Sequence, residues 1–397
     1  MFALIGGGVI TAATMARVYR GGTTANDHAV ALLVAGCIAI YPLLWWGAMG
    51  VGVSGPAAVA LGVALSVGAV SIYGLFHVLD RRRDAGRLMF LARLSQPALA
   101  FSLWCGLLLI LRGPVAVFTG APLLWPGPLL LLPLGLSLWG WAWTWLGHRV
   151  REHVVPVAGL PRPVRIVQLS DLHVSPIMRA SDLYALVDRV NALAPDLVVV
   201  TGDHVMPFSE DEHAFLIDGL ARLRAPTFAC NGNHDLPVAA RLRDELAAVG
   251  VPVLIDEART VTLGPPETPV TVELAGVEFH WRDARAHLLA AVAALPVPDA
   301  HARVLLAHDP RLFAWVPDGR FHLVLSGHTH GGQVGTDMFG VPWSILRPFG
   351  VYDQGRWDRG GTRLWVHRGN WHTGLPPRMG IAGEIVVHRL VAAAAGS

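Results

Sequence analysis

Five short apolar runs in the C-terminal part of this chain each end in side chains of the kind that bind metals or phosphate. Val164–Leu169 is followed by SDLH, with Asp171 and His173, and Leu197–Thr201 by GDH, with Asp203. Thr227–Cys230 leads into NGNHD, residues 231–235, and the run 303–307 into His308. The fifth lies in 323–333, LVLSGHTHGGQ, and delivers His328 and His330. Apolar runs of this length, rich in Val and Leu, read as strands buried on both faces. Helical patterns separate them. Ser181 is placed to cap a helix ending near Leu193, Ser209 and Glu212 make a capping box, and 284–295 reads as a further helix. Two or three short strands between 253 and 280 are expected to be antiparallel. Such alternation indicates an α/β layer structure, where ligands gather beyond the carboxyl ends of the strands. His328 and His330, one residue apart on extended backbone, can reach into one pocket, and the glycines beside them let the chain bend sharply.

The rest of the chain has a different character. Of 397 residues, 53% are apolar and the mean hydropathy is +0.46, and this excess lies mostly in residues 1–150. Segments 29–51, 57–79, 96–111 and 128–146 are long or clean enough to be membrane helices, and 2–15 is counted as a fifth. Arg17 and Arg20, then Arg81, Arg82, Arg83, Arg87 and Arg93, then Arg149 and Arg151 fall in alternate loops, with only Arg112 against the pattern. The positive-inside rule therefore places the C-terminal half in the cytoplasm. Trp139, Trp141, Trp143 and Trp145 suit an aromatic belt at the interface, or else a wall receiving a lipid tail. No acid or Lys within these segments suggests an ion path, so an anchor or lipid platform is favoured over a transporter. The organisation expected is a transmembrane helical domain at 1–150, a linker at 151–163 and an α/β domain at 164–397. Residues 151–397 carry 22 Arg against 26 acidic residues, which argues against nucleic-acid binding. Cys37, Cys105 and Cys230 form no disulfide framework and read as small core residues.

Asp171, His173, Asp203, Asn233, His308, His328 and His330 mix carboxylate, amide oxygen and imidazole without a thiolate. Such donors suit Mn, Fe, Zn or Mg rather than a closed structural zinc site. Seven are too many for one ion and fit two that share a carboxylate. Two metals about 3.5–4 Å apart can bridge a hydroxide and clamp a phosphoryl group for in-line displacement.

DLH, GD, GNHD, the isolated His308 and GHTHGGQ, in this order, resemble the five motifs of the calcineurin-like metallophosphoesterases over about residues 164–390. The resemblance implies an α/β/β/α sandwich holding two divalent ions. Asp171, His173 and His330 would hold the first, Asp203 would bridge, and Asn233, His308 and His328 would hold the second. His234 would lie against the phosphate as general acid or charge stabiliser, oriented by Asp235. GHTHGGQ with the later Arg368–Gly369 is similar to a membrane-attached branch of phosphodiesterases, some acting on the pyrophosphate of UDP-diacylglucosamine. Two departures stand out. Met206 occupies the place of a second Asp, and RGNWHTG (368–374) with Gly383 and Glu384 replaces the usual RGLG and PPE. Candidate substrate contacts are His204, Gln333, Arg368 and His372, with Arg347 open between a phosphate contact and a surface salt bridge.

The expected protein is thus an inner- or plasma-membrane dimetal phosphodiesterase or pyrophosphatase acting on a lipid-linked phosphoester. Two other readings stay open: a phosphoesterase of a soluble substrate with helices as mere anchorage, and a metal-binding membrane sensor without turnover.

Overall fold

The computed structural model describes residues 118–119, 131–145, 147–175, 178–206, 214–336, 342–371 and 378–393. The apolar segments before residue 118, the capping box at Ser209 and Glu212, and His372 lie outside the described residues. The chain divides into two units, one of residues 1–145 and 374–377, the other of 146–373 and 378–397. In the first, Leu131–Trp145 forms a helix of 15 residues. Among the described residues no helix is long and apolar enough to cross a membrane.

The second unit is a sandwich of two mixed sheets. Its strands in chain order are β1 (Arg149–Val157), β2 (Val164–Leu169), β3 (Leu197–Thr201), β4 (Thr227–Cys230), β5 (Glu257–Leu263), β6 (Val270–Gly276), β7 (Ala302–Leu306), β8 (Leu323–Ser326), β9 (Gly335–Thr336), β10 (Trp343–Ser344), β11 (Gly355–Arg359), β12 (Thr362–Val366) and β13 (Glu384–Ala392). The first sheet runs β1-β13-β2-β3-β4 and the second β11-β12-β8-β7-β6-β5. Ile166, Leu197 and Val199 from the first sheet meet Leu274, Val304 and Leu325 from the second in one buried cluster. Their strand neighbours Val198 and Val200 point the other way and are also fully buried, so β3 is covered on both faces. On the far side of the second sheet, Leu288 and Val292 of the helix Ala284–Ala294 pack with Leu305 and Val324.

The apolar runs before Asp171, Asp203 and Asn231 form strands with the expected bounds, and β5 and β6 pair antiparallel. Three features differ from expectation. Residues 149–157, expected to end the membrane domain and start a linker, form β1, paired in parallel with β13 along its whole length. Its alternating burial toward Val157 shows why: Val155 and Val157 fill the inter-sheet core. The helix Ala180–Ala192 is closed at its start by the Asp182 carboxylate, which accepts from the Arg179 backbone N at 2.9 Å, with Ser181 inside the first turn. Finally, β11 and β12 add a hairpin to the second sheet. The parallel strands β2, β3, β4, β7, β8 and β12 thereby bring their following turns to one end of the sandwich.

Candidate metal centre

Asp171, His173, Asp203 and His330 place one donor atom each within 4.8 Å of one another, and Asp203, His308 and His328 do the same. Asp203 belongs to both groups. In the first, His330 Nε2 lies 3.2 Å from Asp171 Oδ1 and 2.9 Å from His173 Nε2, which is 3.5 Å from Asp203 Oδ2. In the second, His308 Nε2 is 3.2 Å from the same Asp203 oxygen, and His328 Nδ1 is 2.8 Å from Asn233 Oδ1. Donors around an ion with bonds of about 2.1 Å sit about 3.0–3.4 Å apart when neighbouring bonds make right to tetrahedral angles. The observed spacings, from 2.8 to 3.5 Å, bracket that range.

The backbone fixes which nitrogens face inward. His330 Nδ1 donates to the Trp371 carbonyl at 3.0 Å and His308 Nδ1 to the Thr201 carbonyl at 2.7 Å, since a carbonyl oxygen can only accept. Both Nε2 atoms are therefore turned to the carboxylates, as a carbonyl acceptor on the opposite nitrogen arranges for metal-ligating histidines. Asp171, His173, Asp203, His328 and His330 all have positive φ, between 41° and 71°. Each costs on the order of 1–3 kcal/mol for a non-glycine residue, strain the surrounding fold must overcome. Gly232 and Gly327 allow the close approach. A Cβ at Gly232 would lie 2.1 Å from Asp203 Oδ1, and one at Gly327 2.4 Å from Asp171 Oδ2.

Charge follows the geometry. Burial alone would raise the Asp203 pKa, but His308 and His173 hold it well below the usual carboxylate range, and His330 does the same for Asp171. Burial lowers His308, yet the Asp203 carboxylate outweighs it and pushes the pKa up to about 10. His328 goes the other way: burial and then His308 lower it to about 4. A divalent cation between these side chains would replace the proton that Asp203 now draws onto His308. Oxygen and imidazole donors without thiolate fit a catalytic ion of the Mn, Fe, Zn or Mg kind.

The other sequence candidates are scattered around this centre. His234 stacks edge-on against His173 with centroids 4.9 Å apart, and its backbone N donates to Asp203 Oδ1. Its Nδ1 is buried and has no hydrogen-bond partner. Asp235 does not orient it. The Asp235 carboxylate instead accepts from the Gly232 and His204 backbone N and from His204 Nδ1, all at 2.8–2.9 Å. That use follows from position, because residue 235 points back beneath the turn while 234 points out. His204, a candidate substrate contact, is fully buried by this pairing. Arg368 is 4% exposed, with its Nε 3.7 Å from Glu384 Oε2, and Arg347 pairs with Asp353 at 3.0 Å. Gln333 closes the GHTHGGQ turn in a left-handed conformation.

Sequence reasoning missed two residues that hold this centre. Asn370 bonds to Ser170 in both directions: Ser170 N donates to Asn370 Oδ1 at 2.9 Å, and Asn370 N to the Ser170 carbonyl at 2.8 Å. Arg378, fully buried, donates to the Gly369 and Trp371 carbonyls behind His330. The departure RGNW was the visible sign of the first. It sets the ligand loop rather than only the substrate pocket.

The calcineurin-like phosphoesterase family model matches residues 164–332. Over 248 residues the chain is 31% identical to the uncharacterized metallophosphoesterase YkuE of Bacillus subtilis (strain 168), covering 60% of this chain and 84% of that one. This chain belongs to the calcineurin-like metallophosphoesterase family. It is 35% identical over 191 residues to phosphodiesterase YaeI of Escherichia coli (strain K12), spanning 46% of this chain and 66% of that enzyme. The transmembrane protein with metallophosphoesterase domain of Bos taurus is 31% identical over 255 residues, which is 58% of this chain and 54% of that protein. With the buried His/Asp cluster, these relationships make this metallophosphoesterase a metal-dependent phosphoester hydrolase.

Proposed function

We propose that this metallophosphoesterase is a membrane-attached phosphodiesterase or pyrophosphatase that uses two divalent ions on a lipid-linked phosphoester, with its catalytic half in the cytoplasm. The observation that carries the two-ion reading is the membership of Asp203 in both donor groups. Asp171, His173 and His330 would hold one ion with Asp203, and Asn233, His308 and His328 the other. Bound there, the ions supply an activated water and neutralise the phosphoryl oxygens. Water would add to phosphorus as the ester P–O bond breaks. The departing oxygen would take a proton from His234, whose unpartnered Nδ1 is buried at the edge of the centre, and the proton lost by the water would restore that histidine through solvent. Asp235 and His204 act beneath this surface, locking the turns that carry Asp203 and Asn233.

Support for the membrane half comes from the apolar sequence of residues 1–150, from its alternating Arg loops, and from the relative named as a transmembrane protein. In this reading the membrane domain ends before β1, whose residues 149–157 already belong to the first sheet of the catalytic domain.

The test uses full-length protein in detergent with Mn²⁺. Bis(p-nitrophenyl) phosphate is expected to be hydrolysed, with metal analysis giving about two ions per chain. The Asp203→Ala protein is expected to lose more than about a hundredfold in kcat/KM, since bridging and charge neutralisation go together. Equal turnover by wild type and Asp203→Ala sinks the reading.

A further inference from the structure

One exposed aromatic side chain stands directly beside the candidate metal ligands. Trp281 is 59% exposed, and its ring centroid is 6.2 Å from that of His328. Phe279, 3% exposed, packs edge-on against it at 4.9 Å and also touches His328 and His308, at 5.7 and 6.0 Å. The strap that carries the pair is tied down just before Phe279. Val277 N donates to the Leu306 carbonyl at 3.1 Å, and Glu278 accepts from Asn231 Nδ2 at 2.9 Å, in the same turn that supplies Asn233. A single exposed Trp needs no explanation in general. This one does, because a phosphoester whose phosphorus lies at the Asp203, His308 and His328 group would bring its substituent against the indole.

A second stretch, beside the GHTHGGQ turn, is apolar too. Trp343 and Ile345 are each 44% exposed and Phe349 is 80% exposed. Their segment is fastened to the GHTHGGQ turn: Ile345 N donates to the Val334 carbonyl at 3.1 Å, and Thr329 Oγ1 to the Asp353 carbonyl at 2.6 Å. Ser344 and Arg347 both bind the buried Asp353 carboxylate, so these side chains are presented by a braced loop. Both stretches beside metal-ligand turns thus expose apolar rings to solvent, an arrangement suited to a substrate that is anionic at phosphorus and apolar beyond it.

We propose that Trp281 is a specificity-determining residue, its indole braced by Phe279 and seated against His328 so as to receive the lipid chain of the phosphoester beside the metal-holding side chains. The inference rests on the phosphodiesterase reading above and names the residue that selects for an apolar substituent. Each fully buried methylene contributes about a factor of four in affinity, so a chain laying two of them on the indole gains about tenfold.

The experiment compares methyl, octyl and phenyl p-nitrophenyl phosphodiesters with full-length, Mn²⁺-loaded protein, all below their aggregation limits. Wild type is expected to prefer octyl to methyl in kcat/KM, and Trp281→Ala to lose about tenfold of that ratio, with Trp281→Phe restoring most of it. Calorimetric binding of octylphosphonate against methylphosphonate reads the same ratio without turnover. Val297→Ala is the control. It removes an exposed apolar side chain that precedes β7, at the end of the strand opposite His308, and the ratio is expected to stay at the wild-type value. A wild-type preference kept in full by Trp281→Ala overturns the inference and leaves the phosphodiesterase standing. Loss confined to the phenyl ester overturns the lipid in favour of an aromatic group. Wild-type turnover with no preference for octyl overturns it as well, whereas no turnover of any ester sinks the phosphodiesterase reading itself and this inference with it.

Discussion

The carboxylate of Asp235 is closed on His204, 2.9 Å from its Nδ1 and 2.8 Å from its backbone N. The same carboxylate accepts from Gly232 N, so it joins the turn that carries Asp203 to the turn that carries Asn233. Asp235→Ala leaves three buried backbone N–H groups, of Gly232, His204 and Val205, and a buried imidazole without this partner. At about 1–3 kcal/mol for each orphaned donor, the loss in stability is expected to be roughly 3–5 kcal/mol. Urea denaturation in the presence of a chelator reads the folding effect apart from metal binding. His234→Ala, which removes a half-buried ring without orphaning the Asp235 network, is expected to unfold within about 1 kcal/mol of wild type. Equal midpoints for Asp235→Ala and wild type would contradict the role assigned to this pair.

Asn370 holds the loop behind the first donor group. It pairs with Ser170 in both directions, and its Nδ2 donates to the Glu384 carbonyl at 2.8 Å. The next residue's carbonyl receives His330 Nδ1, so the Asn370 clasp controls where that ring points. Asn370→Ala is expected to weaken Mn²⁺ binding by about 10–100-fold, the usual cost of losing an outer-shell partner. Calorimetric titration of Mn²⁺ into chelator-stripped protein gives the number. A wild-type dissociation constant in Asn370→Ala removes the clasp from the account.

Much of this arrangement was legible in the letters, for an identifiable reason. Val164–Leu169, Leu197–Thr201 and Thr227–Cys230 are buried on both faces, so their sequences are continuous apolar runs, and each turn that follows concentrates residues poor in strand propensity. Asp171, Asp203 and His308 could therefore be placed at strand ends without coordinates. Strand β1 could not be read this way. Its sequence RVREHVVPV is exposed on alternate positions and contains Pro156, and only its parallel pairing with β13, far along the chain, makes it a strand. Long-range pairing likewise hid Asn370, whose partner Ser170 is 200 residues away. The partner of Asp235 was misjudged for a local reason: the adjacent His234 was the nearer imidazole in sequence, whereas the turn directs residue 235 inward to His204.

Gly232 and Gly327 test how tightly the two donor groups are packed. A methyl group at either position would lie well inside contact distance of an Asp203 or Asp171 oxygen. Neither glycine has a positive φ, so alanine is acceptable to the local backbone conformation. The collision falls on the Asp203 carboxylate and backbone N at Gly232, and on Ser170 Oγ and the Asp171 carboxylate at Gly327. Gly232→Ala and Gly327→Ala are accordingly expected to displace those oxygens, with activity falling at least about a hundredfold as the donor set opens. Metal content after gel filtration is the direct check. Full metal loading in both variants would show that the turns have more room than the distances indicate.

A buried polar chain crosses the sandwich from β1 to the metal-ligand strands, and it contributes to the loss of stability in acid. Gln168 Nε2 donates to Thr201 Oγ1 and to the Ser326 carbonyl, which leaves Gln168 Oε1 to accept from His388 Nε2 at 3.0 Å. His388 Nδ1 is then an acceptor, and His153 Nδ1 donates to it at 3.0 Å. The remaining nitrogen, His153 Nε2, is buried with no hydrogen-bond partner beneath the Trp365 ring. A proton there has nothing to bind. Burial, and then Arg356 and Arg363, lower the His153 pKa to about 4 from an ordinary 6.5, with Asp358 opposing, and burial lowers His388 well below its ordinary value. Between those two pH values the unfolded chain binds more protons than the folded one, so stability rises with pH through this window. The contribution is complete above about pH 6.5 and is lost as pH falls toward 4, amounting to roughly 3 kcal/mol for a shift of this size. His153→Phe removes the titrating ring while keeping an aromatic surface against Trp365. Its thermal midpoint is expected to fall less steeply than that of wild type between pH 6.5 and 4, measured in chelator to keep metal binding out of the comparison. Parallel acid limbs for the two proteins would show that this chain does not contribute to that loss.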